Sequence, residues 1–459
     1  MPTSQVISGA IVAIVLFAIT APPLRHSFRK KDLELVNLVT LALALKLLSS
    51  IARYFVAYQI YGGSSDSAQY YRAGAPLAPQ FRQLHFHADV GKVVGTGFLK
   101  IVTGAVFAVT SVTMIGAFFV FAWFSFLGLW LFFRAFRIAF PEGNARTYFL
   151  LVFFLPSMLF WPSALGKEGW MTLGLGLMAY GAARVLTRRP FGYTLTLLGA
   201  VETGVVRPHV TVLFFAAFFI AYLFRRDSAL TGSTRGYGKT AKVIGVLVLI
   251  AVLVIGVTRA QAFFKNADLG SGGVTGTLTG TALRTSTGGS QFKPASFTSP
   301  QTVPLAVLSV TFRPFPWEAH NIQSFLAAGE GTFLLYLIWR NRRRLRALPR
   351  WMMRRPYLLL CLVYSILFAF AFSAVGNFGI LDRERVQQLP FLLALLALPD
   401  FRPGEEEAQD GDTRQPADVE PSVVTLSRPV LANRPISDGT ELRARPPSRL
   451  APGGQGRSP

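Results

Sequence analysis

"YFLLVFFLPSMLFWPSALGKEGWMTLGLGLMAYGAARV", residues 148–185, is apolar or small almost throughout, with an adjacent lysine and glutamate, Lys167 and Glu168, near its middle. By the length rule for membrane crossings it reads as two spans, 148–161 and 171–185, joined by a tight polar turn. Composition extends that reading to the whole chain. Of 459 residues, 51% are hydrophobic and 13% aromatic, only 15% are charged, and mean hydropathy is positive at +0.42. Soluble domains carry about 25% charged residues.

The net charge of +23 does not point to nucleic acid, because the basic residues gather in short clusters between apolar runs. These clusters are 25–31 ("RHSFRKK"), 134–146, 187–190 ("TRRP"), 224–227 ("FRRD") and 340–356 ("RNRRRLRALPRWMMRRP"). Such clusters mark cytoplasmic ends. Threading the chain between them predicts an all-α, polytopic integral membrane bundle of about eleven transmembrane helices. The expected spans are 6–24, 33–57, 111–133, 148–161, 171–185, 193–206, 211–223, 243–257, 322–339, 357–374 and 386–398. The parity puts the N-terminus outside and the C-terminus in the cytoplasm, in a multi-pass inner (plasma) membrane protein.

The first span precedes its basic cluster, the reverse of a cleavable signal peptide, and reads as a retained anchor. A lone cysteine, Cys361, falls inside a span, so no intrachain disulfide can form. The transmembrane domain is expected over 1–401, with outer loops at about 59–110 and 258–321. Residues 402–459, rich in Pro, Gly and charge, read as a disordered cytoplasmic tail. No fixed-period repeat and no glycine-rich nucleotide loop is present.

On this topology Lys167 and Glu168 meet the outer surface, and they have company. The first outer loop carries "YGGSSDSAQYYRAG", with Asp66, Tyr70, Tyr71 and Arg72, then "HFHAD", with His85, His87 and Asp89. "VVRPHV" adds Arg207 and His209; "TFRPFPWEAHN" adds Arg313, Trp317, Glu318 and His320. "GNFGILDRERVQQLPF" adds Asn377, Asp382, Arg383, Glu384 and Arg385. Short turns between packed helices converge, and arginines placed against the positive-inside bias need a partner or a ligand. Arginine forks suit phosphate; a carboxylate or histidine beside them suits proton transfer.

Each feature also has a plain structural reading. Lys167 and Glu168 would cap a helix as a surface pair, Arg207 and His209 would anchor a helix end, and Asp66 would cap a helix flanked by interfacial aromatics. His85, His87 and Asp89 are metal-ligand types in a loop without fixed geometry, so no metal site is assigned to them. A divalent cation is the one cofactor they leave open. Lys46 and Arg53, seven apart on one face of the second span, either line a basic track or pair with Glu202 of the sixth span.

The outer-loop aspartate followed by tyrosines, and the amphipathic "FLKIVTGAVFAV" after it, resemble the GT-C class of polyprenyl-phosphate-dependent glycosyltransferases. The late "NFGILDRERVQQLPFLL" is similar to the C-terminal signature of O-antigen-type polysaccharide polymerases. The resemblance implies a membrane glycosyltransferase or polymerase of cell-envelope polysaccharide assembly, with a polyprenyl-linked saccharide donor and a saccharide acceptor at the outer interface. It implies Asp66 as base, with Glu168, Glu318 and His320 as further catalytic candidates. Arg207, Arg313, Arg383 and Arg385 would hold phosphate, and Tyr70 and Trp317 would stack on sugar. Tyr71, Arg72, Lys167, His209 and Asn377 complete the expected binding set. The aspartate loop follows the second span here, where the GT-C pattern has it after the first, and no soluble domain follows the last. A flippase for lipid-linked saccharide, served by Lys46, Arg53 and Glu202, and a non-catalytic scaffold holding anionic lipid are the alternatives.

Overall fold

The computed structural model describes residues 3–27, 33–60, 62–63, 65–225, 234–266, 273–286, 290–295 and 300–399; the tail expected at 402–459 lies outside them. Among the described residues the chain is helical, with no strand and one isolated antiparallel bridge between Gln291 and Asn377. The helices are α1 (Thr3–His26), α2 (Leu33–Phe55), α3 (Asp66–Gly74), α4 (Leu77–Arg82), α5 (Phe98–Val109), α6 (Met114–Ala139) and α7 (Ala145–Phe154). They continue as α8 (Pro156–Phe160), α9 (Lys167–Leu186), α10 (Gly192–Val206), α11 (Pro208–Leu223), α12 (Thr234–Asn266), α13 (Gly273–Thr285) and α14 (Val303–Phe312). The last six are α15 (Ile322–Arg340), α16 (Arg342–Leu345), α17 (Leu348–Arg354), α18 (Pro356–Phe372), α19 (Phe378–Arg385) and α20 (Leu389–Leu396).

Among the described residues five helices are long and apolar enough to cross a bilayer: Thr3–His26, Glu34–Ile60, Met114–Ala139, Val243–Ala262 and Ile322–Arg340. Two bent pairs, α7 with α8 and its following turn (57°) and α17 with α18 (118°), raise the count to at most seven. The other expected spans fall on α9, α10, α11 and α20. Of these α10, α11 and α20 have 15, 16 and 8 residues. At 1.5 Å per residue they rise about 22, 24 and 12 Å, short of the roughly 30 Å hydrocarbon core. The segments expected as outer loops are themselves largely helical. Residues 258–321 include the end of α12, all of α13 and α14; residues 59–110 contain α3, α4 and α5. α5 covers the amphipathic segment and packs on α3 and α4, and Arg82 of α4 donates to its last carbonyls, Phe107 O at 2.8 Å and Ala108 O at 3.0 Å.

The span around 148–161 breaks for a local reason. Pro156 has no N–H to donate and forces the residue before it out of the α region, and Leu155 accordingly sits at φ −61°, ψ 134°. Both ends of the short α8 are then satisfied by charged side chains from neighbouring helices. Glu330 of α15 accepts from Ser157 N (2.7 Å) and from the Ser157 hydroxyl, while Lys46 of α2 donates to Met158 O at 2.6 Å and Leu159 O at 3.4 Å. Arg53, two turns along α2, lays its guanidinium over Phe160 (5.0 Å) and Trp161 (5.1 Å). Lys46 and Arg53 therefore share a face as expected, but Lys46 caps a broken helix and does not pair with Glu202.

After the break the chain turns into α9, wedged between α6 and α10. A Cβ on Gly128 of α6 would lie 2.2 Å from Thr172 O, and one on Gly199 of α10 would lie 2.5 Å from Gly174 O. Backbone therefore meets backbone on both sides of α9, the close approach by which helices associate where lipid supplies no hydrophobic drive. This holds Lys167 and Glu168, in its first turn, in place.

Candidate active site

Four separate segments meet at the start of α9. The turn before it fixes α3, because Ser67 Oγ donates to Leu165 O at 2.7 Å. Arg207 lies between α10 and α11, where Pro208 opens the second helix. The fourth segment is α19, whose N-terminus is capped by Asn377 accepting from Ile380 N at 3.2 Å. Its sequence Asp382, Arg383, Glu384, Arg385 places four charges on successive positions. Consecutive side chains leave a helix about 100° apart, so Arg383 and Glu384 face different partners, while Asp382 and Arg385, three positions apart, meet on one side.

Arg383 faces α3 and α9: Nη1 is 3.0 Å from Asp66 Oδ2, and Nε is 3.1 Å from Glu168 Oε1. Glu168 Oε1 is 3.7 Å from Arg207 Nη2. Arg207 in turn holds Glu384 through both nitrogens, Nη2 donating to Oε1 at 2.6 Å and Nη1 to Oε2. Gln387 closes the line, donating to Glu384 Oε2 at 2.6 Å. The result is a string of alternating sign, Asp66, Arg383, Glu168, Arg207, Glu384. Its exposure is graded: the Asp66 side chain is 58% exposed and Arg383 30%, whereas Arg207 and Glu384 are below 10%.

The string sets the ionisation of its members. Burial works against the Glu168 charge, but Arg383 and Arg207 outweigh it and hold the carboxyl below its ordinary range. The Arg207 guanidinium is pulled down to about 10 by burial against the pull of Glu168, and so stays charged at neutral pH. Arg383 is raised, chiefly by Glu168. Lys167, half-buried beside the string and without an ion pair among the described residues, is lowered by burial and by Arg207. Tyr70 is 1% exposed and its hydroxyl is pushed well up by burial, then by Asp66 and Glu168.

Asp66, Tyr70, Lys167, Glu168, Arg207 and Arg383 therefore come together, as the converging turns predict. His209 lies beside them, its ring 6.1 Å from that of Phe372. Arg313 is a neighbour and not a member of the string. Its carbonyl accepts from Arg385, while its guanidinium binds Glu318 (Nε to Oε1 and to Oε2, 3.0 Å each) and lies 4.4 Å from the Phe292 ring. Glu318, which burial would raise, is lowered by that bond to Arg313. Trp317 stacks on Phe315 at 5.0 Å and is 77% exposed, the better placed of the two proposed sugar-stacking rings; His320 is exposed.

Several expected ligands have other work. Tyr70 is too buried to stack on sugar. Tyr71 meets Phe107 edge-on at 5.4 Å and bonds Val112 O, Arg72 is exposed on α3, and Asn377 is a helix cap. His85, His87 and Asp89 are exposed in a segment without regular secondary structure, and among the described residues no three His, Cys, Asp or Glu side chains gather to hold a metal.

On its other faces α19 borders a cavity of about 590 Å³ between α2, α8 and α15. Its walls are apolar, including Val56, Leu159, Trp161 and Leu326, and its polar end is formed by Glu330, Asp382 and Arg385. Arg385 is bonded to Asp382 at 2.8 Å. Glu384 entered the sequence reading only as a member of its turn, and Glu330 did not enter it at all. A carboxylate in the middle of the span at 322–339 was the available signal for Glu330. Compared with protein-family models, curated proteins and solved structures, the chain matches none.

Proposed function

We propose that the protein is an integral membrane glycosyl-transfer enzyme of cell-envelope polysaccharide assembly, acting on a polyprenyl-phosphate- or pyrophosphate-linked saccharide at the outer interface of the plasma membrane. The observation that carries the reading is α19. It presents Arg383 to the exposed Asp66 on one face and Arg385 to an apolar cavity on another. A substrate with a phosphorylated head and a hydrocarbon tail needs both, side by side.

In this reading Asp66 accepts the proton of an acceptor hydroxyl as that oxygen attacks the anomeric carbon. Lys167 and Arg383 hold the departing phosphate and its developing charge. Glu168 positions Arg383 and Arg207 from behind, and the exposed Trp317 offers a face to the saccharide. The eleven-span topology, with an external N-terminus and a cytoplasmic C-terminus, belongs to the same proposal. Two of the three residues a flippase would use along its route are committed elsewhere, Lys46 to backbone carbonyls and Arg53 to aromatic rings.

The test is transfer from a polyprenyl-phosphate-linked sugar by the purified chain in proteoliposomes. Asp66→Asn removes the base and keeps the hydrogen bond, so product formation falls by about 100-fold or more with donor binding retained. Arg383→Lys keeps the charge but loses the fork, so donor affinity falls as well. Normal transfer by both variants refutes the enzymatic assignment. Sidedness is checked by cysteine labelling, since the native Cys361 is buried and silent. Trp317→Cys reacts with an impermeant reagent on spheroplasts and Arg343→Cys does not.

A further inference from the structure

At the far end of the bundle from Lys167 a second charged recess has no part in the reaction above. α9 has 20 residues, so Leu186 lies about 30 Å along the axis from the site. There the ends of α6, α9 and α17 and the start of α18 enclose a cavity of about 250 Å³, lined by Arg225, Arg354, Arg355, Thr187 and Tyr357. Arg355 pairs with Glu142. Arg225 donates to Val185 O at 3.2 Å and lies over the Tyr222 ring at 4.7 Å. Arg354 is exposed and has no ion pair or hydrogen bond among the described residues. Three guanidinium groups thus line a space large enough for a phosphate, and Glu142 is bonded to one of them, Arg355.

The rim indicates where that phosphate comes from. Leu223, Phe224 and Met353 flank the arginines and are 44%, 56% and 59% exposed. α17 turns 118° from α18 and is held against the end of α6 by Trp351, 5.2 Å from the Phe140 ring. A free anion has no use for an apolar rim; a phospholipid seats its acyl chains there with its phosphate on the arginines. We infer that this recess is a headgroup site for an anionic phospholipid, with Arg354 and Arg225 as its principal phosphate ligands. The assignment is independent of the glycosyl-transfer reading.

The experiment uses the full chain, delipidated in neutral detergent and titrated with phosphatidylglycerol, phosphatidylcholine or inorganic phosphate, with bound lipid counted by native mass spectrometry and melting followed in parallel. Phosphatidylglycerol is expected to bind and raise the melting temperature, and the other two to do neither. Arg354→Gln and Arg225→Gln each weaken phosphatidylglycerol binding by about fivefold, the worth of one basic residue at an anionic surface. Arg354→Gln, which breaks no internal contact, leaves lipid-free melting unchanged and so separates binding from folding. Glu142→Gln, which removes the competing carboxylate, strengthens binding. Arg343→Gln, in the same basic run but outside the cavity, has no effect. Equal weakening by Arg343→Gln and Arg354→Gln means diffuse attraction and overturns the site. Binding of phosphatidylcholine as tight as phosphatidylglycerol also overturns it, as does a shift produced by phosphate alone, which assigns the recess to a soluble anion.

Discussion

Two regions of this protein bury charge, and they do so in different ways. Around α8, Lys46 and Glu330 are single charges from separate helices, each bonded to the backbone that Pro156 disrupts. Around α19, charges are bonded to one another in a string that begins at the surface with Asp66 and ends deep at Glu384. Backbone does not leave, so the first arrangement has one geometry. Side chains can exchange partners, so the second can admit an anion at its open end, where the proposed function would put a phosphate on Arg383 in place of Asp66. Burial alone does not separate structural from functional charge here; the nature of the partner does.

The strongest way to break this comparison is at the deep end of the string. Arg207→Ala leaves Glu384 and Glu168 facing each other without their shared cation, at about 3–5 kcal/mol of stability for an interrupted buried pair. Asp66→Ala removes a pair whose members are 58% and 30% exposed, worth about 1 kcal/mol or less. Thermal unfolding in detergent is expected to show a large loss for the first and almost none for the second, whereas under the proposed function both variants lose transfer. Equal stability losses would mean that the string is one structural unit with no open end.

A smaller effect is expected at the break. Lys46→Met keeps the length and apolar stem of the side chain but leaves the Met158 carbonyl without its donor, at about 1–3 kcal/mol, while Leu159 O keeps the Ser163 hydroxyl. Glu330→Gln retains an acceptor for Ser157 N and costs less. If Lys46→Met instead melts like the native chain while saccharide transport fails, Lys46 belongs to a permeation route and the comparison is wrong.

The parts of this architecture that sequence made legible are those with a local cause. Apolar length located the five to seven helices that are long enough to cross a bilayer among the described residues, but it also counted the shorter α10, α11 and α20. Pro208 marked the start of α11, whereas Pro156, inside an expected span, bends that span by 57°. The convergence of Asp66, Lys167, Arg207 and Arg383 followed from the shortness of those turns. What sequence concealed is set by three-dimensional partnership. Nothing local distinguishes Glu384, which neutralises Arg207, from Asp382, which faces a cavity with Arg385. Tyr70 and Tyr71 are adjacent in sequence, yet one is sealed inside the charged cluster and the other braces α5. For Lys46 the sequence leaves two readings open, a basic track or a pair with Glu202; a broken helix offers carbonyls as partners instead, and only the packing of α2 on α8 reveals them.

The finest distinction within α19 is between the two charges on its cavity side. Burial pushes the Asp382 carboxyl up to about 7 from an ordinary 3.8, against the pull of Arg385 and with the help of Glu330. A carboxyl raised on folding binds a proton that the unfolded chain has released, so its contribution to stability is complete below about pH 4 and is lost as pH rises through about 7. One proton sets a ceiling of about 1.4 kcal/mol per pH unit. Glu168 and Glu318 have lowered values and act with the opposite sign, gaining stability as pH rises, but their effect lies below their ordinary 4.5. Above that range Asp382 contributes a decline, and His209, which burial pulls down to about 3 from 6.5, contributes an opposing rise that ends by about pH 6.5. The Asp382 share is read from the difference between the native chain and Asp382→Asn. Melting temperature followed from about pH 5 to pH 8 is therefore expected to decline more in the native chain than in Asp382→Asn, with Glu330→Gln intermediate because it removes the neighbouring charge. Parallel curves for the native chain and Asp382→Asn would mean that Arg385 keeps Asp382 ionised throughout, making the pair a fixed ionic bond of the same kind as the deep end of the string.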